Sequence, residues 1–129
     1  MFEIRGTVQD YAWGNTQGIQ QIVDIPVDGT PVAEYWLGAH PKAPSATPYS
    51  TLLDHLTANP QHLGDAARDT YGDRLPFLLK ILSARTALSI QAHPTLDQAR
   101  AGYARENAAG ISMNAPNRNY KDAWHKPEM

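Results

Sequence analysis

The stretch Leu88-Ser-Ile-Gln-Ala-His-Pro94 places two side chains that can bind a metal, Gln91 and His93, inside an otherwise apolar segment. Side chains alternate between the two faces of a β-strand. A strand from Ala87 to His93 would therefore collect on one face the polar side chains of this stretch, which are Ser89, Gln91 and His93. The pattern predicts a strand with one face suited to chemistry and one face suited to the core.

The segment that precedes this stretch is a near-continuous apolar run of strand length, Leu75 to Leu82, which contains a single charged residue, Lys80. The short connection from Ser83 to Thr86 predicts that this run and the Ala87–His93 strand form a hairpin. Lys80 has two interpretations. It is either a lysine on an edge strand, whose ammonium reaches solvent, or a lysine that points into an active site.

Two helical segments are predicted, near residues 95–110 and near residues 50–72. Thr95 and Gln98 match the capping-box pattern, and Gly110 suits the end of the helix that they open. In the earlier segment Ser50 is the expected N-cap, ahead of an apolar stripe formed by Leu52, Leu53 and Leu56.

The N-terminal third of the sequence predicts two more strands, one from Phe2 to Gln9 and one from Val32 to His40. The second strand is apolar except for Glu34 and His40. Because a buried carboxylate needs a cation or a hydrogen-bond donor, Glu34 lies either near an edge or opposite a polar site. Between the strands, Trp13 belongs either to the core or to a pocket wall, and residues 18–23 form either a short helix or a strand.

The composition limits the class of protein. The chain has 129 residues, of which 42% are hydrophobic and 19% charged, as expected for one globular domain with a core. A net charge of -2 makes nucleic acid and anionic membrane surfaces poor partners. The absence of cysteine excludes disulfides and thiolate metal ligands. No apolar run is long enough to span a bilayer, so we expect a soluble, cytoplasmic protein.

A metal site can be assembled from Gln91, His93 and Glu128, which offer an amide oxygen, an imidazole nitrogen and a carboxylate oxygen. The alternative is that His93 makes an ordinary hydrogen bond. Glu128 lies in the dense run Asn119-Tyr-Lys-Asp-Ala-Trp-His-Lys-Pro-Glu-Met129, whose mixture of charged and aromatic residues is typical of a functional loop.

Five motifs in this order resemble the type I mannose-6-phosphate isomerase family: Tyr-Ala-Trp-Gly14, Ala-Glu-Tyr-Trp-Leu-Gly-Ala-His-Pro41, Leu-Pro-Phe-Leu-Leu-Lys-Ile-Leu82, Leu-Ser-Ile-Gln-Ala-His-Pro94 and Asn-Tyr-Lys-Asp-Ala-Trp-His-Lys-Pro-Glu-Met129. The resemblance implies an enzyme that interconverts mannose 6-phosphate and fructose 6-phosphate. It also implies a mainly β fold with a helical insertion (α+β), the N-terminal portion of a cupin-like jelly roll.

The resemblance assigns roles to individual residues. It implies one Zn²⁺ per chain, held by Gln91, His93 and Glu128; the family's fourth ligand is a histidine beyond the end of this sequence. Further roles that it implies are contact with the sugar phosphate for Ser89, catalytic cations for Lys80 and Lys126, and the pocket wall for Trp13 and Glu34. His125 lies in a motif but receives no role.

Isomerisation of an aldose to a ketose removes a proton next to a carbonyl group, so it needs a base and an electrophile for the developing oxyanion. Lys80 or Lys126 can serve as either, and the sequence leaves the base open. We expect the chain to be the N-terminal part of such an enzyme, with little activity alone. The alternatives are a sugar-phosphate-binding cupin-like module without catalysis, and a cupin-like remnant that retains no ligand. The oligomeric state stays open.

Overall fold

The computed structural model describes residues 1–126 of the chain. The chain forms two compact units, unit 1 (Met1–Leu88) and unit 2 (Ser89–Met129). Unit 1 contains a small antiparallel sheet and several short helices, and unit 2 contains one longer helix. Within residues 1–126, every helix is too short or too polar to cross a membrane.

The sheet of unit 1 has three strands: β1 (Thr7–Gln9), β2 (Glu34–Leu37) and β3 (Leu79–Leu82). The strand order is β1-β2-β3 and both pairings are antiparallel, so β2 is the central strand. The register places Trp36 between Thr7 on one side and Lys80 on the other. A central strand is covered on both edges, which explains why the apolar segment around β2 provides much of the core.

Glu34 and Trp36 are both buried, whereas Tyr35 and Leu37 between and beyond them are half-buried. The alternation confirms that these two side chains share one face. The strand ends at Leu37 because the next residue, Gly38, exchanges hydrogen bonds with Ser45: its N–H donates to Ser45 Oγ (2.9 Å), and its carbonyl accepts from Ser45 N–H (2.8 Å).

The helices of unit 1 are α1 (Gly18–Ile22), α2 (Leu52–Ala58), the 3₁₀ turn Pro60–Leu63 and α3 (Asp65–Tyr71). Residues 18–23, which the sequence left open, are therefore mostly helical. The N-cap of α2 is Thr51 and not Ser50, so that prediction is wrong. Thr51 Oγ1 accepts a hydrogen bond from Asp54 N–H, and the Asp54 carboxylate accepts one from Thr51 N–H. Such a capping box needs a spacing of three residues, and Ser50 is four residues from Asp54.

Unit 2 is organised by helix α4 (Leu96–Ala108). Its capping box, formed by Thr95 and Gln98, is confirmed. The helix is followed by Gly110, whose positive φ of 69° suits a glycine at the end of a helix.

The segment Ala87–His93 has no regular secondary structure, so the predicted strand is wrong. A strand requires a neighbour whose backbone groups it can pair with. The expected neighbour, β3, pairs with β2 on one edge, and within residues 1–126 no strand pairs with its other edge. Leu88 and Ile90, the expected core face, are exposed, with Ile90 at 101%.

The other strands are shorter than predicted, because β1 begins at Thr7 and β3 at Leu79. As a result, more of residues 1–126 lie in helices than in strands, and a mainly β composition is not what this part of the chain shows. The architecture is mixed α and β, with a three-stranded antiparallel sheet.

Candidate active site

Unit 1 contains a compact group of charged and aromatic side chains on one face of the sheet, which we call the Trp36 cluster. It consists of Tyr11, Glu34, Trp36, Lys42 and Lys80. Glu34 and Trp36 come from the central strand, Lys80 comes from β3, and the other two come from loops. The antiparallel register brings Lys80 directly beside Trp36.

The Glu34 carboxylate is satisfied by two partners. Its Oε2 atom accepts a hydrogen bond from the indole Nε1–H of Trp36 and lies 3.4 Å from Lys80 Nζ. Only 11% of the Glu34 side chain is exposed, against 33% for Lys80. A buried carboxylate is costly unless it is paired and hydrogen-bonded, and both conditions are met here.

Two ammonium groups lie near the Trp36 ring. Lys80 Nζ is 4.8 Å from the ring centroid and Lys42 Nζ is 5.4 Å from it, within the range of cation–π attraction. Lys42 also donates a 2.7 Å hydrogen bond to the hydroxyl of Tyr11. With two lysines and one glutamate, the cluster has a net positive charge, which suits an anionic ligand.

Trp13 joins this cluster through Tyr11, because the two rings stack with 6.0 Å between their centroids. The turn that carries Trp13 is closed by a hydrogen bond from Gly14 N–H to Tyr11 O (2.9 Å). At Gly14 a Cβ atom would lie only 2.5 Å from Ala33 N, so glycine is required for this turn to approach the strand.

Among the predicted site residues of unit 1, the structure brings Glu34 and Lys80 into direct contact and links Trp13 to them through the other members of the cluster. Three members of the cluster, Tyr11, Trp36 and Lys42, were not among the predicted site residues. Trp36 could have been found, because it shares the parity of Glu34. Lys42 had no such signal, since it lies in a proline-rich loop without periodicity.

In unit 2 the predicted ligands Gln91 and His93 lie, together with Ser89, on the irregular segment ahead of α4, and all three residues are exposed. Their amide oxygen and imidazole nitrogen suit zinc, which binds nitrogen and oxygen donors. Glu128, the third predicted ligand, lies outside the described residues. Within residues 1–126, no group of three His, Cys, Asp or Glu side chains is placed to hold a metal ion.

The second predicted catalytic lysine, Lys126, lies in this unit and is 56% exposed, and its Nζ lies 3.4 Å from Asp122 Oδ2. Further back along the chain, hydrogen bonds hold Asn119 and Tyr120 to the buried carboxylate of Glu106 on α4. The backbone N–H of Tyr120 is the main cause of a lowered pKa at Glu106, and Asn119 and the charge of Arg118 act in the same direction.

Comparison with known proteins gives a consistent result. Residues 1–129 match the model of the type I phosphomannose isomerase catalytic domain. The mannose-6-phosphate isomerase of Salmonella typhimurium is 42% identical to the chain over 136 residues, and that of Rattus norvegicus is 36% identical over 143 residues. The whole chain is covered in both cases, but only 34% and 31% of the relatives.

Solved structures agree with the sequence matches. A crystal structure of the Salmonella typhimurium enzyme bound to its substrate, fructose 6-phosphate, and to zinc is 41% identical, with a TM-score of 0.85 over 98% of the chain and 33% of that structure. The proteins that the chain matches are isomerases of a sugar phosphate. The chain belongs to the type I phosphomannose isomerase family and spans about a third of the length of the relatives that it matches.

Proposed function

We propose that this chain supplies zinc ligands and charged groups to an enzyme that interconverts mannose 6-phosphate and fructose 6-phosphate. The observation that carries the proposal is the match, over nearly the whole chain, to a structure that holds both fructose 6-phosphate and zinc. The Trp36 cluster supports it independently, because a net positive, aromatic-lined site suits a phosphorylated sugar.

The proposed zinc ligands are Gln91, His93 and Glu128. Solved variants of the Salmonella typhimurium enzyme replace a lysine, a histidine and a glutamate by alanine. The sequence spacing between those three positions equals the spacing between Lys80, His93 and Glu128 in this chain. This agreement supports, for each of the three, a part in the function of the site.

When bound, zinc supplies a Lewis acid that polarises oxygen atoms of the substrate. We assign the remaining work to side chains of the chain itself. Ser89 offers a hydroxyl donor for the sugar phosphate. Glu34 and Trp13 form part of the pocket wall, where Glu34 holds the Lys80 ammonium in place through the ion pair described above.

The reaction moves a proton between neighbouring carbons through an enediol, so negative charge develops on the substrate oxygens. The contact of Lys80 with Glu34 is one that the ammonium form makes, and an ammonium stabilises such charge. We therefore assign charge stabilisation to Lys80. By the same argument Lys126, whose Nζ lies 3.4 Å from the carboxylate of Asp122, is the second cation.

We further propose that the three-stranded sheet is the N-terminal portion of a cupin-like jelly roll in a cytoplasmic enzyme. The exposed apolar side chains of Leu79, Leu82, Leu88 and Ile90 support this proposal. They lie on β3 and on the irregular segment Ala87–His93, where further strands would cover them.

The proposal is tested in a chimera in which this chain replaces the matching third of the Salmonella typhimurium enzyme. The chimera should convert mannose 6-phosphate to fructose 6-phosphate, and His93→Ala or Lys80→Ala should lower kcat by about 100-fold or more. Glu3→Gln, an exposed change in the same chain, is the control. Full activity of His93→Ala in the presence of a chelator would contradict the zinc role. Saturable sugar-phosphate binding without turnover would instead favour the non-catalytic module.

A further inference from the structure

Unit 2 contains a buried ion pair that the proposed reaction does not use. The Arg118 side chain is 0% exposed, the Glu106 side chain is 7% exposed, and Arg118 Nε lies 3.2 Å from Glu106 Oε2. Burying two charges in so small a unit is costly unless all their hydrogen-bonding groups find partners. The identity of those partners therefore shows what the pair does.

Besides Glu106, the Arg118 guanidinium has three oxygen acceptors. Its Nε donates to Tyr120 O (2.6 Å), Nη1 donates to Ile111 O (2.8 Å) and Nη2 donates to Asn107 Oδ1 (2.8 Å). Two of these acceptors are backbone carbonyls of the chain that follows α4. The guanidinium thus ties this loop to the C-terminal end of the helix.

The Glu106 carboxylate binds the same loop from the helix side. It accepts hydrogen bonds from the backbone N–H of Asn119 (3.2 Å) and of Tyr120 (2.9 Å), and from Asn119 Nδ2 (3.2 Å). Hydrogen bonds to backbone groups fix the path of the chain itself. Glu106 thus satisfies the backbone N–H groups of Asn119 and Tyr120, and Arg118 satisfies the carbonyl of Tyr120.

Gly102 completes the attachment. The ring of Tyr120 lies directly on this glycine, and a Cβ atom at position 102 would overlap the ring. The Arg105 guanidinium lies 5.8 Å from the centroid of the same ring. The absence of a side chain at Gly102, one turn before Glu106, therefore lets the Tyr120 ring pack against the helix backbone.

We propose that Glu106, Arg118 and Gly102 are positioning residues for zinc binding, an inference that rests on the proposed zinc site. Helix α4 begins shortly after His93, and its second half holds the loop that leads to Glu128. Helix α4 is thus linked to both parts of the proposed zinc site. Its start is joined covalently to the segment with Gln91 and His93, and Glu106 near its end holds residues 119–120, which precede Glu128. Without these contacts, residues 119–120 are no longer held to the helix. Ordering the chain that leads to Glu128 then costs entropy, and this cost weakens zinc binding.

The test measures zinc affinity of the 129-residue chain by competition with a chromophoric chelator, alongside its circular dichroism. Glu106→Ala should weaken zinc binding by about 10- to 100-fold, the range seen when the supports of metal ligands are removed. Glu106→Gln, which keeps one acceptor oxygen, should lose less. Arg100→Ala, an exposed change on the same helix, is the control and should bind zinc like the parent chain.

Gly102→Ala separates positioning from folding, because alanine raises helix propensity while its methyl group displaces Tyr120. Weaker zinc binding by a chain with undiminished helix signal supports the positioning role. Equal affinities of Gly102→Ala, Glu106→Ala and the parent overturn that role and leave the zinc site standing. If the parent chain alone binds no zinc, the same variants are measured in the Salmonella typhimurium chimera. There, zinc affinity unchanged by Glu106→Ala and Gly102→Ala overturns the positioning role, and a chimera without zinc overturns both the site and that role.

Discussion

The two units use buried charge in different ways. In unit 1 the buried Glu34 pairs with Trp36 and Lys80, two side chains of the proposed substrate site. In unit 2 the buried Glu106 and Arg118 bind mainly backbone groups, while the proposed ligands Gln91 and His93 are exposed. In the Trp36 cluster, buried charge therefore orients other side chains. In the proposed zinc site of unit 2, buried charge instead fixes the backbone of the segment that leads to a zinc ligand.

The largest expected effect concerns the exposed ligands of unit 2. His93→Ala should weaken zinc binding by at least about 100-fold, because an imidazole ligand is lost directly and not through its supports. Zinc retained after gel filtration measures the effect. His125→Ala is the matched control, since it removes a histidine of the same unit that has no proposed role. Equal zinc content in the two variants would show that His93 is not a ligand.

The next effect concerns the buried carboxylate of unit 1. Glu34→Ala should lower the free energy of unfolding by about 1–3 kcal/mol, because the indole N–H of Trp36 is left buried without its acceptor. Glu34→Gln should cost less, since its amide oxygen can still accept that bond. Urea denaturation measures both. If the alanine and glutamine variants were equally stable, the hydrogen bond would not be what stabilises the cluster.

A smaller and paired effect compares the two capping boxes. Thr51→Ala in unit 1 and Thr95→Ala in unit 2 should each cost about 1 kcal/mol of stability, because each removes an N-cap acceptor. Only Thr95→Ala should also weaken zinc binding, since Thr95 follows His93 closely and begins α4. A loss of zinc affinity in Thr51→Ala would contradict this separation.

The smallest effect is a dependence of stability on pH. The pKa of Glu106 is lowered from its ordinary value of 4.5, chiefly by the backbone N–H of Tyr120. Because the folded state favours the carboxylate, its stabilising contribution is complete above the ordinary pKa and is lost as the pH falls through the lowered one. Unfolding midpoints measured from about pH 7 to pH 3 should fall less steeply for Glu106→Gln than for the parent. Glu3→Gln should follow the parent curve.

Local patterns predicted some of these features well. The period-two pattern placed Glu34 and Trp36 on one face, and the capping box formed by Thr95 and Gln98 is a local motif, so both depend on short-range geometry. The segment Ala87–His93, which has no regular secondary structure, shows the limit of such patterns. Alternating side chains describe a strand but do not supply the neighbour with which its backbone must pair.

The contacts of Lys42 and Arg118 show a second limit. Each side chain reaches residues that are distant in sequence or lie in loops without periodicity, so no local pattern marks them. Lys80 is intermediate, because the sequence identified it as unusual but left two interpretations open. Within residues 1–126 β3 is an edge strand, as the first interpretation expects, and the register places Lys80 beside Trp36. The active-site role of Lys80 therefore stays a proposal.

The surroundings of Trp36 give the molecule a built-in optical reporter. The emission of an indole depends on nearby charges and on the partner of its N–H group, and here a carboxylate and two ammonium groups are all close to one ring. An anion that draws Lys42 or Lys80 away should therefore shift the fluorescence of Trp36. In a chain carrying Trp13→Phe and Trp124→Phe, this single residue would report ligand arrival without any added dye.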